Sequence, residues 1–206
     1  MRKELKFVKM HGLGNDYVYI DCFPATAAAI IASTDLSALA RTVSDRHFGI
    51  GSDGLVLILP CKEAEASMRI FNADGSEAEM CGNGIRCVAR LVRERYISDD
   101  FFTLPSGSGL YPTRRAELIN GEIEAYGVDI KVRLTSPDFG FAAGAENHID
   151  KVIPSLGEDM RFTALNLGNP HIVAAVEAID MERLVELGEA VTQLKGDFPK
   201  GINVSL

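Results

Sequence analysis

The 206-residue chain is 47% hydrophobic and 24% charged, with a formal net charge of −8, enough apolar content for one large domain or two small ones. Mild acidity without a basic block or basic aromatic patch argues against a nucleic-acid partner. No apolar run approaches the roughly 20 residues of a membrane span, and Met1–Lys6 leads straight into Phe7-Val8 without the apolar stretch of a signal peptide. The expected setting is cytoplasmic.

Leu5–Met10 and Tyr17–Asp21 read as short strands around a glycine-rich turn, His11-Gly12-Leu13-Gly14-Asn15-Asp16. Leu36–Arg46 has helical spacing at Leu36, Leu39, Ala40 and Val43. Leu55–Leu59 is a continuous apolar run, as in a buried strand, and Ser67–Phe71 alternates like another strand. Gly82–Arg95 predicts a helix with Ile85, Val88, Ala89 and Val92 on one face. Asn120-Gly121, between Ala116–Ile119 and Glu122–Tyr126, signals a hairpin, and Val128–Leu134 continues the β pattern. Phe162–Leu167 and His171–Val176 read as strands, and Met181–Lys195 as a helix. Hairpins mixed with helices, without regular alternation, predict an α+β fold.

Four cysteines occur, Cys22, Cys61, Cys81 and Cys87, without CxxC spacing and with four scattered histidines. A chain with this much core does not need disulfide staples, and the spacing does not match a structural zinc site. Four reduced thiols, mostly small buried hydrophobes, are the default. Leu13-Gly14-Asn15 followed by an apolar strand is echoed by Leu167-Gly168-Asn169 followed by another, with Asn15 and Asn169 separated by 154 residues. The bland explanation is two ordinary turns. The other is a pair of related half-domains, each presenting an asparagine at the same structural place.

Phe71-Asn72-Ala73-Asp74-Gly75-Ser76-Glu77-Ala78-Glu79-Met80-Cys81-Gly82-Asn83-Gly84-Ile85-Arg86-Cys87 begins as a strand, turns at Asp74-Gly75 and enters a helix near Gly82. A cysteine at such a junction meets the positive end of the helix dipole and free N–H groups, which stabilise a thiolate. The same N–H groups can hold a carboxylate. A cysteine buried at a helix start, with glycines serving only the turn, is the competing reading. Cys87, a turn and a half into the helix, and Cys22 and Cys61, following strands, are read as structural. A thiolate of this kind can exchange the proton on a substrate Cα. Inversion needs a base on one face and an acid on the other, and thiols suit both roles. A hydrolytic cysteine would need a histidine base, and His11, His47, His148 and His171 lie in no cysteine-hydrolase signature.

FNADGSEAEMCGNGIRC is similar to the signature of diaminopimelate epimerases, and KMHGLGNDYVYID, DRHFGIGSDGL at Asp45–Leu55, LGNPH at Leu167–His171 and FPKGINV at Phe198–Val204 resemble the family's other landmarks in the family's order. The resemblance implies interconversion of LL- and meso-diaminopimelate for lysine and peptidoglycan synthesis, without pyridoxal phosphate or metal, so no cofactor is expected. It implies two similar α/β half-domains, expected here as residues 1–126 and an incomplete 127–206. By resemblance, Cys81 is one of two acid/base cysteines, and Gly82 and Asn83 hold the reacting amino-acid end through the backbone. Asn15, Asn72, Asn169 and Asn203 bind the charged ends of the substrate, and His171 tunes a thiol. Side-chain amides suit a zwitterion because they both donate and accept. Gly54 falls where some members offer a polar side chain and receives no role. A homodimer is implied by resemblance alone.

The family's second cysteine has no match: the repeat offset from Cys81 falls past Leu206, and Cys22, Cys61 and Cys87 are in other contexts. The expectation is half of a two-thiol site, inactive alone at a useful rate. The alternatives are a proline-racemase-like enzyme, which shares the two-thiol logic, and a non-catalytic amino-acid-binding remnant. A cysteine hydrolase comes third.

Overall fold

The computed structural model describes residues 4–107, 109–117, 124–130, 134, 139–142, 147–167 and 169–206. The chain divides into two compact units, Met1–Ile130 and Lys131–Leu206. The boundary expected after residue 126 falls inside a strand that runs on to Val128.

The first unit opens with strands β1 (Val8–Gly12) and β2 (Asn15–Asp21), paired antiparallel from Val8↔Tyr19 to Gly12↔Asn15. Helices α1 (Ala25–Ala32) and α2 (Leu36–Ser44) follow. The Asp35 side chain caps α2 by accepting from the Ala38 N–H at 3.0 Å, a contact worth about 1 kcal/mol. Strand β3 (Gly54–Leu59) then lies parallel to β2, and β4 (Ser67–Asn72) and the short β5 (Glu77–Ala78) add antiparallel neighbours, giving the order β1-β2-β3-β4-β5.

This sheet is covered on both faces. Val18, Ile20, Leu55, Leu57 and Phe71 pack with Ile31 of α1 and Ala40 of α2. Tyr17, Tyr19, Val56, Ile58, Met68 and Ile70 pack with α3 (Gly82–Arg95) on the other side. Burial on both faces is why β3 reads Gly-Leu-Val-Leu-Ile-Leu, without polar alternation. Ile85, Val88, Ala89 and Val92 are buried as the helical spacing required, and Cys87 and Leu91 join them.

A separate antiparallel sheet, β6 (Phe101–Ser106), β7 (Gly109–Glu117) and β8 (Glu124–Val128), contributes Phe102, Leu104, Tyr111 and Tyr126 to the α3 core. Sequence reading missed β6 and the first half of β7, because Pro105 and Pro112 argue against strands. Pro105 is tolerated on the edge strand, and the Pro112 carbonyl accepts from Asp129 N–H at 2.9 Å. The β7–β8 pairing fits the expected hairpin, whose Asn120-Gly121 turn lies outside the described residues. Regular strand stops at Val128; part of the expected Val128–Leu134 continuation, residues 131–133, also lies outside them. Helix α1 was not anticipated, its alanine-rich sequence lacking an amphipathic stripe.

In the second unit β9 (Thr163–Asn166) pairs antiparallel with β10 (Pro170–Val173). Helix α4 (Met181–Gln193) crosses over, and β11 (Asn203–Ser205) returns parallel to β10. Phe139, Ile153, Phe162, Ile172, Leu187 and Phe198 form its core. The three strands repeat the topology of β1, β2 and β3: a hairpin, a helical crossover and a parallel return. Asn15 opens β2 and Asn169 immediately precedes β10, so the asparagine of each LGN tripeptide stands at the same topological place in its unit.

Candidate active site

The β1–β2 hairpin aims the first site residue. Its two turn residues, Leu13 and Gly14, both have positive φ, at 55° and 92°, the pattern of a type I′ turn that matches strand twist. That turn sets the register placing Asn15 opposite Gly12. Gly12 in turn lies against the start of α3: a Cβ there would sit 2.9 Å from the Asn83 carbonyl oxygen. Asn15 is thereby held beside the helix N-terminus.

Cys81 is the N-cap of α3, in extended conformation at φ −138° and ψ 109°. Its sulfur accepts from the Gly84 N–H at 3.3 Å and from the Asn15 side-chain amide at 3.5 Å, while its carbonyl accepts from the Ile85 N–H at 2.9 Å. The first-turn N–H groups of an α-helix have no partner within the helix, and those of Gly82 and Asn83 flank the sulfur in sequence. The Asn83 side-chain oxygen accepts from Arg86 at 2.6 Å, so the Asn83 side chain is spoken for and its N–H is the group available to a ligand. A half-buried thiol, a helix N-terminus and a donated side-chain amide thus meet at one point. The arrangement can stabilise a thiolate and a carboxylate side by side.

Asn15 and Tyr17 lie two residues apart on β2 and share a sheet face. Tyr17 is 5% exposed and packs in the core beneath α3, with Cys81 against the same cluster. Burial, then Cys81, pushes its phenol well above its ordinary value. Asn72 ends β4 in register with Gly54, and its side-chain amide donates to the Ser76 hydroxyl at 3.0 Å, within the Asp74-Gly75 turn. Gly54 has no room for a side chain, since a Cβ would lie 2.2 Å from the Phe71 carbonyl oxygen and 2.8 Å from the Tyr17 ring.

An ion-pair network braces the strand start. Arg46 bridges Asp16 at 2.7 Å and Asp53 at 2.9 Å, and Lys9 reaches Asp16 at 3.1 Å. The backbone N–H of Asp16 donates to the Asp53 carboxylate, and the N–H of Asp53 donates to the Asp16 carbonyl. Arg46 holds the Asp16 carboxyl well below the usual carboxylate range. Asp45 ties the intervening loop by accepting from the N–H groups of His47 and Phe48. The DRHFGIGSDGL segment therefore fixes the backbone at Asp16, immediately after Asn15.

Cys22 and Cys87 are buried, Cys61 is half-buried, and all four thiols are free. Burial pushes the Cys22 thiol up to about 11, and burial likewise raises that of Cys87.

The second unit gathers Asn169, His171 and Asn203. His171 pairs across the sheet with Asn203, its Nε2 lies 2.9 Å from the Asn169 side-chain oxygen, and the Asn203 amide donates to the Pro170 carbonyl at 3.1 Å. Burial lowers the His171 imidazole from its ordinary value, favouring the neutral ring. Gly168 lies outside the described residues.

Sequence reading missed Tyr17, Asp16, Arg46 and Asp53. The available signal was the period of two from Asn15 to Tyr17 and the charged residues flanking the two glycine-rich turns. Among the described residues no group of three or more His, Cys, Asp or Glu is placed to hold a metal ion, and no helix is long and apolar enough to cross a membrane.

The architecture has relatives among solved structures. A predicted epimerase from Pseudomonas aeruginosa superposes with a TM-score of 0.58 at 17% identity, over 98% of this chain and 70% of that one. A hydroxyproline epimerase from Agrobacterium vitis gives 0.56 at 14% identity, over 95% and 58%. The chain shares the fold of these two structures. The family model for diaminopimelate epimerase matches residues 7–113. Diaminopimelate epimerases from Geobacillus thermodenitrificans and Bacillus subtilis are each 39% identical, over 96% and 97% of this chain and 67% and 69% of their own lengths. The chain belongs to the diaminopimelate epimerase family, whose members are cofactor-independent isomerases, and the proline-racemase reading is not favoured.

Proposed function

We propose that the protein interconverts LL- and meso-diaminopimelate in lysine and peptidoglycan synthesis, with Cys81 as one of its acid/base groups. The observation that carries this is the seat of Cys81: an N-cap thiol with Gly84 N–H and the Asn15 amide both directed at sulfur. As thiolate it removes the Cα proton on one face. The carbanion charge spreads onto the neighbouring carboxylate, which the N–H groups of Gly82 and Asn83 bind at the helix N-terminus. A second acid returns a proton on the opposite face, so the reaction is redox-neutral. The family resemblance assigns that acid to a second cysteine, and neither buried Cys22 nor buried Cys87 has the setting for it. Asn15, Asn72, Asn169 and Asn203 serve the charged ends of the substrate in this reading, and His171, kept neutral by burial, tunes a thiol. A cytoplasmic location and a homodimer accompany the reading, supported by resemblance.

The test is incubation with LL-diaminopimelate in deuterated water, following the Cα signal by NMR, with Cys81→Ala as control. Deuterium uptake with inversion, lost in the variant, is the expected outcome. Uptake without inversion would show one working base. Tight binding with no uptake would favour an amino-acid-binding protein instead.

A further inference from the structure

We propose that Arg86 is a positioning residue for the substrate carboxylate: by holding the Asn83 side-chain oxygen, it keeps the Gly82 and Asn83 N–H groups at the start of α3 open to that ligand. This rests on the carboxylate being bound there, as proposed above. Arg86 follows Asn83 by three residues, a spacing at which side chains meet along a helix flank. Its Nη2 donates to the Asn83 side-chain oxygen at 2.6 Å. The β1–β2 hairpin closes on this pair. A Cβ on Gly12 would lie 2.9 Å from the Asn83 carbonyl oxygen and 3.3 Å from Arg86 Nη2, so the bare Cα of Gly12 lets the guanidinium lie between hairpin and helix.

Ion pairing does not account for Arg86. The other arginines of α3 each meet a carboxylate: Arg90 with Glu94 at 2.7 Å, Arg93 with Asp100 at 2.9 Å and Arg95 with Asp21 at 2.9 Å. Arg86 has a neutral amide instead and, among the described residues, no carboxylate within ion-pair distance. Helical side chains lean toward the N-terminus, and the bond to Asn83 draws the charge back over the first turn, where the helix dipole disfavours a cation. Helix stability therefore does not account for it either. The behaviour of a free asparagine does. Its short amide readily accepts from backbone N–H groups close by in sequence, and first-turn N–H groups lack partners within the helix. Of these, Gly84 N–H is bonded to the Cys81 sulfur, which leaves those of Gly82 and Asn83. An unheld Asn83 oxygen competes with the substrate carboxylate for them. Turned along the helix flank to Arg86, it does not.

The test is binding of LL-diaminopimelate, followed by NMR titration of isotope-labelled protein through the Gly82 and Asn83 amide signals. It requires no turnover. In the wild type both signals should shift to saturation; if they do not, the carboxylate seat itself is refuted and this proposal falls with it. Arg86→Met keeps the unbranched stem and removes the donor, and should raise Kd about threefold to tenfold. Asn83→Ala removes the oxygen that needs holding and keeps the backbone N–H. In that background Arg86→Met should change Kd by less than about twofold, whereas an arginine with a merely structural role would cost the same in both. Wild-type shifts with an unchanged Kd in Arg86→Met, or an equal loss in both backgrounds, overturn the proposal and leave the carboxylate seat standing. Should Arg86→Met fail to fold, Arg86→Ala, which puts no apolar stem at this half-buried position, takes its place in both backgrounds under the same criteria.

Discussion

In both units an asparagine leads into the middle strand of the same hairpin-and-crossover trio, yet two residues further on the side chains differ. The first unit places Tyr17 there, the second His171. Beside Tyr17 in the returning strand stands Gly54, which leaves room for the ring; beside His171 stands Asn203. One backbone plan therefore carries two different titratable side chains. The phenol is locked in its protonated form by burial, and the imidazole is held neutral by partial burial next to an amide. The first unit adds what the second lacks among the described residues, an N-cap thiol fed by strand and helix together.

The comparison is tested most severely at Cys81. Cys81→Ala should reduce deuterium exchange at the substrate Cα by about 10²- to 10⁴-fold with an unchanged circular dichroism spectrum; a smaller loss would place the base elsewhere. Asn15→Ala removes one donor to the sulfur and should lower the exchange rate roughly tenfold or more. The equivalent Asn169→Ala should leave Cys81 alkylation unchanged, and equal effects on alkylation would show that the units are not chemically distinct.

Stability should separate the returning strands. Gly54→Ala forces a Cβ against the Phe71 carbonyl and the Tyr17 ring, and should cost about 1–3 kcal/mol in urea unfolding. Asn203→Ala loses one exposed hydrogen bond and should cost under about 1 kcal/mol.

The smallest expected effect is in pH. His148 and His171 are both lowered by burial, so unfolded histidines bind protons that the folded second unit refuses. That stability is present above the ordinary histidine range near 6.5 and is lost as pH falls through the lower folded values. Asp16, held down chiefly by Arg46, gives the first unit stability that is present above the ordinary carboxylate range and lost only at more acidic pH. Hydrogen exchange resolved by peptide should therefore show the second unit loosening first on acidification. The reverse order would contradict these assignments.

Much of this was legible in the sequence because it is local. Asp35, the Leu13-Gly14 turn, the α3 stripe and the Cys81-Gly82-Asn83-Gly84 junction each encode their geometry within a few residues, through capping, positive φ or helical period. The LGN repeat was legible for the same reason, as a turn feeding a strand. Strand β6 and the part of β7 before Ala116 were hidden because local rules disfavour proline, which the edge position of β6 tolerates.

The sequence by itself determined that a thiol stands at a helix start and that an asparagine opens each of two strands. Only the tertiary structure decided what faces that thiol. Register brought Asn15 to the sulfur, the bare Cα of Gly54 admitted the Tyr17 ring, and Asp16, Asp53 and Arg46 met across 37 residues of chain. Those meetings depend on strand pairing between distant segments, which local propensity does not encode.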